Sequence, residues 1–344
     1  MNRYLVTNSP VPNELGLAIP GNLPFFEVLL VVAFVLHILF VNILVAGSVS
    51  AVYNEVIGIV RKDAIADKFA YLLATQVSIV KSIAVVLGIA PLLIISTIYT
   101  QFFYPSTILI GKMWLMLIPL LIVALLALYA YKFSWERLKE RKKLHLSFGI
   151  AGTLILLFVP LLFITNVVSM LYPELWETSR GFWRSLFAYP TIWQRYMHFT
   201  AASFSMLGIY LVWWSSRAGK RHGEEIAAQI AAHGKTFGKA IAAGFTIAQL
   251  AAGPYLLLSM SPVVRRAFMG GSLLHTALLA IAILLAIVLC VMLVRLVKTD
   301  NRQLFRNSVI VLLVVLSLMS WIRHEVREIQ LEPYMEQSPR NVQP

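Results

Sequence analysis

The residues able to do chemistry in this chain are few and unevenly placed. Of seven histidines, His37 sits in the apolar run VLHILFVN and His198 opens HFTAASFSMLG. His275 stands near the start of LLHTALLAIAILLAIVLCV, and His324 lies in SWIRHEVREIQ. A neutral imidazole in an apolar stretch either bonds a backbone carbonyl or hydroxyl in the core, or ligates a metal. As a group these histidines point to haem iron, for which neutral imidazole is a common axial ligand. Zinc fits less well: there is no HExxH, and the single cysteine, Cys290, offers no thiolate set. One cysteine also excludes a disulfide framework and covalent CxxCH haem attachment. After His198 come Ala201, Ala202, Ser203, Ser205 and Gly208. Residues this small either let a flat macrocycle lie against the helix or let two helices pack closely.

The elements that must position these rings are membrane helices. The 344 residues are 59% hydrophobic and 13% charged, far from a soluble composition. A span of the hydrocarbon core takes about 20 apolar residues, and eight segments qualify: 25–47, 78–101, 112–131, 146–170, 193–214, 239–260, 272–296 and 307–322. The expected fold is therefore an all-α integral membrane protein, a bundle of about eight transmembrane helices forming one domain over 1–344. The first segment does not read as a cleavable signal peptide, because it is too long and lacks a basic leader and a small-residue cleavage site.

Charge sets the topology. Eighteen Lys and Arg fall in or beside the connections after helices one, three, five and seven, against ten on the other side. By the positive-inside rule both termini are non-cytoplasmic, as in a multi-pass protein of a bacterial or archaeal-type cytoplasmic membrane. The net charge of +13 is accounted for in this way and by attraction to anionic lipid, so no nucleic-acid partner is expected. His145, His222 and His233 then read as solvated loop histidines on the cytoplasmic side. His37, about 12 residues or roughly 18 Å into its helix, joins His198, His275 and His324 on the outer side. All sixteen Asp and Glu read as loop or helix-end residues, with Glu27 nearest the membrane. Proton relays and cation-coupled transporters generally need ionisable groups at depth, which disfavours a transporter. Lys81 reads as a snorkelling lysine, and Asn42 and Asn166 as interhelical hydrogen-bond partners.

These segments resemble subunit I of the cytochrome bd quinol oxidases. VLHILFVNILVAG resembles that family's first helix, and AYPTIWQRYMHFTAA its approach to the low-spin haem histidine, with Pro190 eight residues before His198. VVLGIAP and ITNVVSMLYP echo further segments, and SWIRHEVREIQ loosely resembles a signature that would set Glu325 at a haem-ligating glutamate. The resemblance implies haem b, two or more per chain, with His37 holding an active-site-type haem. It makes His198 one axial ligand of the low-spin haem. Where the family has a methionine for the other ligand, His275 stands near that place, with Met269 the weaker candidate. His324 or Glu325 would complete the haem at His37, and Arg265, Arg266, Arg323 and Arg327 would neutralise propionates. The family's two helix-three glutamates are missing from GKMWLMLIPLLI, the loop between helices six and seven is cut to SPVVRRAFMGG, and the chain stops after helix eight.

The expectation is thus a haem b cytochrome subunit of a respiratory chain that does not reduce oxygen. It would carry electrons between the quinone pool and an outer-side c-type cytochrome or other redox subunit, beside a possible further membrane subunit. The alternatives are an oxygen-reducing bd-type oxidase and a haem-free scaffold or transporter. The aromatic loop YPELWETSRGFWRSLFAYPTIW reads as an interfacial belt or as a cap over a site.

Overall fold

The computed structural model describes residues 10–12, 21–221 and 225–335, except the side chains of 218–221. It is helical throughout: α1 (Leu23–Arg61), α2 (Ala64–Ile98), α3 (Thr100–Leu109), α4 (Gly111–Phe133), α5 (Lys142–Leu171), α6 (Phe182–Ala188), α7 (Ile192–Arg221), α8 (Glu225–Leu258), α9 (Pro262–Arg266), α10 (Leu273–Lys298) and α11 (Arg302–Met335). Among the described residues, seven helices are long and apolar enough to cross a membrane. The helix α7 is long enough too, but Gln194, Arg195, His198, Thr200, Ser203 and Ser205 dilute its apolar character. Large apolar side chains such as Leu115, Ile118, Ile122 and Leu126 face outward on α4. In water this would be an aggregation surface, and in a bilayer it is the lipid contact.

The helices run past the hydrophobic windows that mark them in the sequence. Segment 25–47 becomes a 39-residue helix and 307–322 a 34-residue one. Segments 78–101 and 239–260 lengthen at their starts, to α2 and α8. Backbone satisfaction favours continuing a helix while its polar residues find partners in neighbouring helices, so composition marks the lipid-facing length alone. The connection after α1 shrinks to Lys62 and Asp63. Lys62 takes a left-handed conformation, φ 54°, and returns its N–H to Gly58 O. Asp63 caps α2 by accepting from Ile65 N and Ala66 N.

Two apolar layers stack along the bundle. The layer at the basic end gathers Phe69, Leu73, Leu128, Tyr131, Leu207 and Leu211. The layer at the far end gathers Ile98, Tyr99, Phe102, Leu162, Met170 and Ile192, together with Leu23 and Leu331, so the start of α1 and the end of α11 emerge together there. The aromatic loop divides its residues between two roles. Tyr172, Trp176, Phe182 and Tyr189 are buried in this far-end core, whereas Trp183 and Phe187 are exposed. Trp176 Nε1 donates to Ser169 O at 2.8 Å, and burial pushes the Tyr189 hydroxyl up to about 12. The loop is therefore a packed cap whose outer edge alone resembles a belt.

The small residues after His198 pack helix against helix. A Cβ on Gly208 would stand 2.5 Å from Gly238 O and 2.6 Å from Ala242 N, so the α7 and α8 backbones nearly touch. Ser203 Oγ donates to Asn42 Oδ1 at 3.0 Å, and Ser205 meets Thr246 at 2.6 Å. Asn166 likewise donates to Ser106 Oγ. Gly208→Val should force α7 from α8 and cost about 1–3 kcal/mol. Gly244→Ala, where nothing lies within 4 Å, should leave thermal unfolding in detergent unchanged.

Candidate functional site

Four helices bring the sequence-selected groups together in the far half of the bundle. On α1, His37 Nδ1 lies 3.0 Å from Ala84 O of α2. A carbonyl only accepts, so Nδ1 carries the hydrogen, and in the neutral ring Nε2 keeps its lone pair. Metal-ligating histidines are commonly oriented in this way, with one nitrogen anchored to a carbonyl and the other presented. Gly88 makes the ring's position possible, because a Cβ there would stand 2.8 Å from His37 Cε1. On α7, His198 has a buried Nδ1 with no hydrogen-bond partner, a group that a water or a ligand would satisfy. His37 thus has the donor chemistry of an iron ligand, and the buried nitrogen of His198 is unclaimed.

Charge surrounds these rings. Arg195 of α7 and Arg323 and Arg327 of α11 stand close enough for their charges to act on one another. Arg323 also acts on His37, and Arg195 on His198. Arg327 is 4% exposed and sits over the Tyr99 ring at 4.8 Å, with Nη1 lacking a hydrogen-bond partner. Arg323 lies over Phe34 at 4.1 Å. Two carboxylates oppose the three guanidiniums. Glu27 Oε2 is 3.9 Å from His324 Nε2, and Tyr99 donates to Glu328. The ligand atoms of Glu27, His324 and Glu328 all lie within 4.8 Å of one another. Arg323, His324 and Arg327 line a cavity of about 10 Å³, roughly the room one water needs.

The remaining sequence-selected residues are placed differently. His275 uses both nitrogens, Nδ1 with Ser272 Oγ at 2.8 Å and Nε2 with Glu325 Oε2 at 3.1 Å. Iron could bind this ring only after one contact opened. The helix α10 packs on α8 and α11, while α7 packs on α8, α1 and α5. Met269, the weaker candidate, is 59% exposed. Arg265 donates to Leu258 O at 3.2 Å and Arg266 is exposed.

No protein-family model and no curated protein matches the chain. Among solved structures the chain is similar to the bd oxidase from Geobacillus thermodenitrificans. The TM-score is 0.61 at 12% identity, over 93% of this chain and 91% of that one. At that identity the likeness is one of fold. The sequence resemblance therefore extends to the architecture, a multi-pass membrane bundle like that of the oxidase.

A second polar cluster, at the basic end, corrects the reading of the histidines and acids there. His145 is fully buried rather than solvated. Glu55, also fully buried, lies inside α1 rather than in a loop; at the far end Glu325 and Glu328 likewise lie inside α11. His145 Nε2 faces Tyr131 O at 2.8 Å and Nδ1 faces Glu55 Oε1 at 2.7 Å. The first contact requires N–H on Nε2, and the second requires one more proton, carried by either the ring or the carboxyl. Lys142 Nζ reaches Glu55 at 3.4 Å and Asp67 at 2.8 Å, and Tyr131 stacks on the imidazole at 4.8 Å. His233 is partly buried as well, with Nε2 3.0 Å from Asn54 Oδ1; His222 lies outside the described residues. Lys81 is 2% exposed, its ammonium 3.3 Å from the Tyr129 ring centroid. Spacing could have exposed the Glu55–His145 pair only if α1 and α5 had been known to meet. Glu55→Ala should cost about 3–5 kcal/mol by removing the buried partner of His145 and Lys142, whereas the double replacement Glu55→Leu with His145→Phe should recover most of that loss. Thermal unfolding of the purified variants in detergent decides this.

Proposed function

We propose that this chain is a haem b cytochrome subunit of a respiratory membrane complex. It passes electrons between the quinone pool and an outer-side c-type cytochrome or other redox subunit. The observation that carries the reading is His37, anchored through Nδ1 to Ala84 O and cleared by Gly88. The likeness of fold to a bd oxidase supports it. When bound, haem b supplies one-electron iron chemistry. The chain's own task is then to hold and tune. Ala84 O fixes the tautomer of His37, and His198 offers the buried nitrogen for a low-spin site. The Arg195–Arg323–Arg327 group supplies positive charge suited to carboxylates of a bound ligand. Helix α4 carries no acid, which favours electron transfer without oxygen reduction.

A second reading, an oxygen-reducing oxidase, draws support from Glu27, His324, Glu328 and Tyr99. They place protonatable groups in the far half that the apolar α4 lacks. Purified protein should give a reduced-minus-oxidised spectrum with haem b bands and a pyridine haemochrome of at least one haem per chain. His37→Ala and Gly88→Val should each lower haem content by half or more, His198→Ala should remove the low-spin signal, and His233→Ala should change neither. Absence of a Soret band in the parent protein overturns the proposal, and quinol-dependent oxygen uptake shifts it to the oxidase.

A further inference from the structure

At the basic end, α8 and α10 part to leave a crevice of about 430 Å³ lined by Lys235, Thr236, Lys239, Lys298, Thr299 and Asp300, with Ala232 and Val297 at its sides. Three ammonium groups face one carboxylate, leaving the crevice two charges positive. Lys239 is 8% exposed and donates to Thr299 O at 2.8 Å and Asp300 Oδ1 at 2.5 Å. Lys235 meets the other oxygen, Asp300 Oδ2, at 2.9 Å. These lysines, Lys239 first, hold the Asp300 carboxyl below the usual carboxylate range. An ammonium has three donors, so Asp300 orients the lysines without exhausting them, while Lys298 stands exposed at the rim.

The crevice continues into a surface suited to hydrocarbon. On α8 the exposed residues Ala232, Thr236, Ala240 and Gly244 recur every four positions, one face of the helix. On α10, Val297 beside the crevice is 46% exposed. An exposed small-residue flank of α8 thus leads from the lysines toward the bilayer centre. Charge at one end and an exposed small-residue helix flank at the other match a single amphiphile.

We infer that this crevice binds the phosphate headgroup of an anionic phospholipid, with an acyl chain along the exposed flank of α8. Lys235 and Lys298 provide the charge, Thr236 and Thr299 hydroxyls add hydrogen bonds, and Lys239 with Asp300 fixes the rear wall. Basic pockets between membrane helices on this side commonly hold such headgroups. The inference does not depend on haem.

The test uses the full chain in nanodiscs of phosphatidylcholine with or without phosphatidylglycerol, read by thermal unfolding and by lipid retained after delipidation in native mass spectrometry. Phosphatidylglycerol should raise the unfolding temperature and remain bound. The double variant Lys235→Gln, Lys298→Gln, which leaves the Lys239–Asp300 contact intact, should weaken its retention by about tenfold to thirtyfold. Equal behaviour in the two lipid compositions, or undiminished retention by the variant, overturns the inference. So does stabilisation by inorganic phosphate in detergent without any effect of phosphatidylglycerol, which would mark a free-anion site.

Discussion

In hydrocarbon a polar group has no solvent to fall back on, so each must be answered by another part of the protein. That constraint shapes this molecule more than any propensity. It makes every spanning element a helix. It brings α7 and α8 into backbone contact at Gly208 and Gly238, and it pairs Asn42 with Ser203 and Ser205 with Thr246. It also explains why the helices outrun their apolar windows: wherever a neighbour supplies a partner, polar residues can stay helical inside the bundle.

The same constraint decides how much of the molecule is legible in its sequence. Membrane class, the number of long helices and the end at which the histidines gather come from one-dimensional signals, namely apolar length and loop charge. His37 stands out because a lone imidazole in VLHILFVN has no local partner. Glu55 does not, because hydropathy windows end before it and treat the residues beyond as loop. His145 sits beside a run of lysines and arginines that looks solvated, yet α1, α4 and α5 close over it. Likewise, the small residues after His198 are ambiguous between a macrocycle and a second helix, and only the position of α8 separates the two. His275 and Glu325, independent candidates by spacing, bond each other. Pairing of side chains across helices is the part invisible to spacing.

The two ends of the bundle solve opposite electrostatic problems. At the far end, arginines outnumber the carboxylates that oppose them, so positive charge is concentrated among apolar walls where a carboxylate-bearing ligand would be stabilised. At the basic end, the buried acid meets an imidazole, an ammonium and an aromatic face, and is neutralised within the protein. Positive charge left over there lies on the outer surface between α8 and α10. Internal compensation thus governs the buried groups of the basic end, and an excess of guanidinium charge marks the far end.

The length of α1 joins these ends. His37 and Glu55 are eighteen residues apart, about 27 Å along the axis and five turns of 3.6 residues. They consequently leave the helix at nearly the same azimuth, one seated on Ala84 of α2 and the other on His145 of α5. A rod keyed twice on one side resists rolling. Rolling α1 to ease either ring would unseat the other, so the aim of His37 Nε2 is set partly by a carboxylate near the opposite face of the membrane.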